Sequence, residues 1–207
     1  MRFLFLGFAV ATVLSRSLNA QNPANLPAQV GPTQSAAPFS VSDKFDYRIV
    51  QAFGLRGFAG SAIGAAIGQA RDVPHEWGQE FGGFAARYAS GFGGNLGRQA
   101  MAFGLESALH EDPRYFPSEE TGFRARMKNV LLQTLVTRTD SGGERFAYAR
   151  IISAFADGQL VRAWQPASTA SVRGGITRGF IGLGTDFAYN FLQEFIPFVR
   201  PRSLRKH

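Results

Sequence analysis

The chain has 207 residues, 45% of them hydrophobic, with 24 glycines, 20 phenylalanines and no cysteine. The lack of cysteine excludes a disulfide framework, thiolate metal sites and a lipidated cysteine anchor. The formal charge of +7 sits at the ends: without residues 1–20 there remain 20 basic and 15 acidic residues, and without four tail cations 16 and 15, which argues against a nucleic-acid binder.

Residues 1–20 read as a secretory signal. Arg2 precedes an apolar core over 3–14, and Leu18-Asn19-Ala20 offers a cleavage site. The core is too short to span a bilayer as an anchor. The expected destination is the periplasm or the periphery of an outer membrane. Residues 21–43 are rich in Pro, Ala, Gln and Ser and lack an apolar period, so they read as a disordered linker. Residues 44–199 then form one domain, and 200–207 a basic tail.

Small residues recur every fourth position within this domain. Gly60, Gly64 and Gly68 form one ladder, and Gly78, Gly82, Ala86, Ser90 and Gly94 a second. On a helix each ladder is a smooth stripe that another backbone can approach closely. Segments 54–68 and 78–104 hold five and eight glycines. At about 1 kcal/mol each relative to alanine, these glycines cost as much as a typical domain's net stability. Close packing on the stripes is expected to offset that cost.

Five helices are predicted. The first runs to residue 69 and is capped by Ser42 or Asp43, and Pro74 ends the segment. The longest charge-free apolar stretch, 57–70, falls short of the ~20 residues a span requires. The second helix covers 75–109, and Pro113 and Pro117 force a loop over 111–121. The third covers 122–136, followed by a turn at Asp140-Ser141-Gly142-Gly143. The fourth covers 144–164 and the fifth 171–195. The expected fold is an all-α bundle of about five helices packed on small-residue stripes. An outer-membrane β-barrel is the alternative, because segment 171–195 also fits strand alternation. Turn signals do not recur about every ten residues, the middle is rich in alanine, and the chain ends in charge rather than an apolar strand.

Two stretches concentrate chemistry: His110-Glu111-Asp112-Pro113-Arg114-Tyr115-Phe116 and Thr137-Arg138-Thr139-Asp140-Ser141-Gly142-Gly143. With Asn190, Glu194 and Phe195, they resemble a family of exported bacterial proteins that has no established activity. The resemblance covers most of 45–199 and implies export and one compact domain; it lends no mechanism. Phe198 stands where that pattern has an acidic residue.

Glu106 and His110 lie one helical turn apart, with Asp112 close behind, which is legitimate metal-ligand chemistry. No HExxH motif or second nearby histidine accompanies them. The competing reading makes Asp112, Arg114, Arg138 and Asp140 structural, with Asp112 and Arg114 paired to pin the 111–121 loop. No G-x-S-x-G elbow, P-loop or dinucleotide fingerprint occurs, and Ser141 reads as a turn residue. Asp186, Asn190 and Glu194 fall at i, i+4 and i+8 in an apolar helix. They require partners, and Arg124, Arg138 and Arg150 are the candidates for an internal ion-pair network. A polar ligand cavity is the alternative.

The leading expectation is therefore a non-enzymatic, exported envelope protein that needs no cofactor and is peripheral to a membrane. Arg200, Arg202, Arg205 and Lys206 would contact anionic lipid or another anionic envelope surface. A metal-dependent hydrolase centred on His110 and a glycine-zipper pore built by homo-oligomerisation are the alternatives.

Overall fold

A computed structural model describes residues 38–199. The expected signal segment, most of the expected linker and the four tail cations lie outside the described residues. Within them the chain forms six α-helices and one small antiparallel sheet. The helices are α1 (Val41–Phe53), α2 (Leu55–Ala70), α3 (Phe81–Leu109), α4 (Phe123–Leu135), α5 (Tyr148–Leu160) and α6 (Val172–Phe195). The strands are β1 (Glu111–Asp112), β2 (Val136–Thr139) and β3 (Glu144–Phe146). The all-α expectation holds, and the sheet is a small clasp between helices.

Local chemistry explains most boundaries. Ser40, not Ser42 or Asp43, caps α1: its Oγ accepts from the Asp43 amide at 3.2 Å, and the Asp43 carboxylate accepts from the Ser40 amide at 3.0 Å. The expected first helix is two helices, because Gly54 takes an extended conformation and interrupts the hydrogen-bond ladder. Helix α3 ends at His110, whose left-handed backbone (φ +55°) turns the chain into β1. The expected fourth helix starts late, since 144–146 pair with β2. Ser171 caps α6 by accepting from the Gly174 amide at 2.9 Å.

Helix α3 is central, packing against α1, α2 and α5; α6 packs against α5 and α4. These contacts do run over small residues, but the stripe is offset from the expected one. On α2 the buried set is Gly57, Ser61 and Ala65. A methyl group on Gly60, Gly64, Gly78 or Gly82 would meet nothing within 4 Å, so these four glycines do not carry the packing. Gly68 is covered, since a methyl there would stand 2.9 Å from the Val73 carbonyl, and so is the far end of the second ladder: Ser90 and Gly94 are buried, and a methyl on Gly94 would stand 2.8 Å from Val161. Where α5 crosses α6 the backbones approach closely, and a methyl on Gly158 would collide with the Gly175 carbonyl. A four-residue period places a stripe on a helix; only the partner helix decides which stripe is covered.

Arg87 holds the connection between α2 and α3. It is buried and donates to the carbonyls of Val73, Pro74 and Gly78 at 2.9, 2.8 and 2.6 Å, and to the Gln69 side chain at 2.6 Å. The loop's carbonyls thereby find partners that secondary structure does not supply.

Candidate functional site

The two chemistry-bearing stretches, separated by some twenty residues, become neighbouring strands. Glu111 pairs with Thr139 and Asp112 with Arg138 across β1 and β2. The Thr137 hydroxyl donates to the Asp112 carbonyl at 2.6 Å, and the Asp140 amide donates to the His110 carbonyl at 2.9 Å. Asp112 accepts from Arg114 through Nε at 3.0 Å, Nη2 at 2.6 Å and the backbone amide at 3.0 Å. The guanidinium of Arg138 stacks on Phe116 at 4.0 Å and that of Arg114 on Phe39 at 4.1 Å. Glu111, also buried, accepts from the amides of Tyr148 and Ala149 at the start of α5, at 3.2 and 3.1 Å. Burial pushes its carboxyl up, against the pull of those amides and of Arg145.

Lys44 on α1 has no exposed surface and donates to the Asp140 carboxylate at 2.6 Å and to the Glu106 carbonyl at 3.2 Å. The metal-candidate trio is not brought to one point. Arg48 engages both carboxylate oxygens of Glu106, Arg114 occupies Asp112, and the His110 side chain is largely exposed, 3.5 Å from Asp140. Among the described residues no group of three or more metal-ligating side chains gathers.

The polar stripe of α6 is buried and paired, with partners other than those expected. Asp186 takes Arg56 at 2.6 Å and Arg98 at 2.5 Å. Burial would raise its carboxyl; Arg98, Arg56 and Arg150 outweigh that and hold it below the usual carboxylate range. Asn190 donates to the Thr134 hydroxyl at 3.2 Å. Glu194 pairs with Arg126 at 2.9 Å and accepts from the Tyr115 hydroxyl at 2.5 Å, the Ser118 amide at 3.1 Å and the Asn129 side chain at 3.3 Å. Burial again acts upward, and these hydrogen bonds more than reverse it. Arg124 forms no ion pair with the stripe among the described residues, and Arg138 stacks on Phe116. Arg150 reaches it only electrostatically, donating instead to the carbonyls of Gln133 and Thr134 that end α4.

These groups enclose a cavity of about 30 Å³ lined by Arg48, Arg56, Arg98, Arg150, Asp186 and Tyr189, among others. Asp186 and Asn190 of the stripe belong to this lining, whereas Glu194 sits in its own cluster with Arg126 and Tyr115. Arg56, Arg98 and Arg48 carried no recognisable signal; an arginine within an apolar-periodic helix was the available hint.

The usual polarity is partly inverted: beside Tyr115, Phe116 and small apolar residues the interior holds many charged and amide side chains, and the surface mixes charges with many large apolar side chains. The largest fully buried side chains are Lys44, Gln193, Glu111 and Glu194, with Val130, Val161 and Ser153. Large apolar side chains lie outside: Phe45, Val50 and Phe53 on α1, Leu55, Phe58, Ile63 and Ile67 on α2, Leu131 and Leu135 on α4, Phe180 and Ile181 on α6. Leu55 is 83% exposed. Scattered exposed apolar residues are ordinary; so many buried charges beneath so many exposed large apolar side chains are not. No described helix is long and apolar enough to cross a membrane.

Comparisons with known protein families, with curated proteins and with solved structures found no match for this chain.

Proposed function

We propose that this is an exported, non-enzymatic helical protein that lies on the surface of an envelope membrane with its apolar shell against lipid. The single observation that carries the reading is the partly inverted polarity. Aqueous solvent rewards the opposite arrangement, by roughly 25 cal/mol for each Å² of apolar surface covered. A bilayer interface removes that penalty, and charged side chains facing a bundle's interior are the arrangement an apolar surrounding demands. The tail cations add attraction to anionic head groups of up to about 1 kcal/mol each. The secretory signal supports the location, and the resemblance to exported bacterial proteins agrees with it. The carboxylates near His110 are engaged by arginines and a lysine, so the hydrolase alternative draws no support from them.

Co-sedimentation of chain 21–207 with phosphatidylglycerol-containing vesicles tests the reading. Binding is expected at low salt and is expected to persist in part at about 1 M salt, where charge interactions reach only about 3 Å. Deleting 200–207 should remove the salt-sensitive part. The double substitution Phe58→Glu, Ile63→Glu, at exposed positions, should remove the salt-resistant part. Absence of binding at low salt overturns the reading. If the chain also self-associates in vesicle-free solution and Gly64→Leu breaks the association, the shell is an interface between copies.

A further inference from the structure

We propose that the cavity enclosed by Arg48, Arg56, Arg98 and Arg150 is a binding site for one small anion of halide or formate size. It goes beyond the membrane reading and does not depend on it. Four guanidinium groups, one each from α1, α2, α3 and α5, converge on this space. None can release its proton at any pH a folded protein survives. Their carboxylate partners number two. Glu106 is engaged by Arg48, and Asp186 is shared between Arg56 and Arg98. Arg150 has no carboxylate partner among the described residues. Its partners are the Gln133 and Thr134 carbonyls, at the end of α4.

The balance is four positive charges against two negative ones. The C-terminal dipole of α4 contributes roughly half a negative charge more, which leaves an excess near one and a half. Arg48, Arg56 and Arg98 keep only 13%, 22% and 14% of their side chains exposed, and a net charge withdrawn this far from water is costly to a fold. Water in the cavity would satisfy hydrogen bonds without supplying charge. An anion supplies both. A volume of about 30 Å³ holds one or two waters or an ion of a few atoms, which excludes nucleotides, sugars and peptides. Tyr47 and Tyr189 stand in the same lining and carry hydroxyls, which can donate; the Asn190 and Gln99 amides there already donate to Thr134 and Asn95. Guanidinium forks suit a planar carboxylate, while a halide needs only convergent N–H groups. Burial lowers Arg150 from its ordinary value, the direction a missing counter-charge produces, with Asp186 and Glu106 relieving only part of it.

Thermal denaturation at constant ionic strength tests the proposal, with sodium gluconate, whose anion is too large for the cavity, as the reference salt. Replacing gluconate by chloride or by formate should raise the melting temperature. At a hundredfold excess over Kd the rise should reach about 5–10 °C. Arg150→Gln should abolish the difference between salts. A larger rise with formate assigns the site to carboxylates; a larger rise with chloride assigns it to halides. Equal melting temperatures in all three salts overturn the proposal, as does an unchanged salt difference in Arg150→Gln. If that variant does not fold, crystals of the unmodified chain grown in bromide decide the matter. An anomalous peak among the four guanidinium groups supports the site, and its absence at full occupancy of surface bromides overturns it.

Discussion

Replacing Glu194 by glutamine tests whether the buried charges hold the fold together. Glu194 joins α6 to α4 and to the 111–121 loop, accepting from Tyr115, Ser118, Arg126 and Asn129. In Glu194→Gln the amide oxygen can keep the Tyr115, Ser118 and Asn129 bonds, all of which reach Oε2. The amide nitrogen then faces the Arg126 Nε, donor against donor. The loss is one charge-assisted bond, worth about 1.5–3 kcal/mol, plus an unsatisfied donor worth about 1–3 kcal/mol. Arg126 is a quarter exposed and still reaches the Glu194 backbone carbonyl, so water recovers part of the second contribution. The expected cost is about 2–4 kcal/mol, or roughly 5–15 °C in Tm for a domain of this size. The pH dependence separates charge from shape. The folded carboxyl of Glu194 is held below its unfolded value, so its contribution is fully present above the unfolded pKa of about 4.3 and fades as pH falls through the folded value. The gap between the two proteins should therefore be wide at pH 7 and narrow in acid, and Asp186 cancels because both proteins contain it. Thermal melts of both proteins across the acid range measure this. A gap below about 0.5 kcal/mol at neutral pH, or one that does not change on acidification, refutes the reasoning.

The glycines supply a paired test. Gly158→Ala should destabilise by at least about 1–3 kcal/mol, since the added methyl meets the Gly175 backbone, whereas Gly64→Ala should be neutral or stabilise by up to about 1 kcal/mol. Similar melting shifts in the two variants would show that the α5–α6 approach is not the tight contact. Asp157 predicts the opposite sign to Glu194. Its Oδ1 is buried with no hydrogen-bond partner among the described residues, and burial pushes its carboxyl up, with Arg178 and Arg98 opposing. The folded state then holds the proton more tightly than the unfolded one, so this group weakens the fold as pH rises past about 4. Asp157→Asn should be more stable than the parent at pH 7 and lose that gain below about pH 4; denaturant midpoints at the two pH values check it.

The sequence by itself determined the helical class and, to within a residue, both ends of α4 and α6; the helices expected from 75 and over 144–164 run instead from Phe81 and over Tyr148–Leu160. Pro74 and Pro113 act through local backbone chemistry, which a few residues carry wherever they stand. It also made plain that Asp186 and Glu194 required partners, because a carboxylate within an apolar-periodic helix has no local way to be solvated. Only the tertiary structure decided which partners those are. Arg56 and Arg98 reach Asp186 across more than eighty residues, and nothing local distinguishes them from Arg124, which forms no ion pair with the stripe among the described residues. The same holds for the glycine ladders, where Gly57 is covered and Gly60 is bare one turn along. It holds too for the pairing of β1 with β2, which joins the two motif stretches into one clasp. Helix period and capping are properties of neighbours in the chain; the covered face, the salt-bridge partner and the surplus charge on the cavity arise only when distant segments meet.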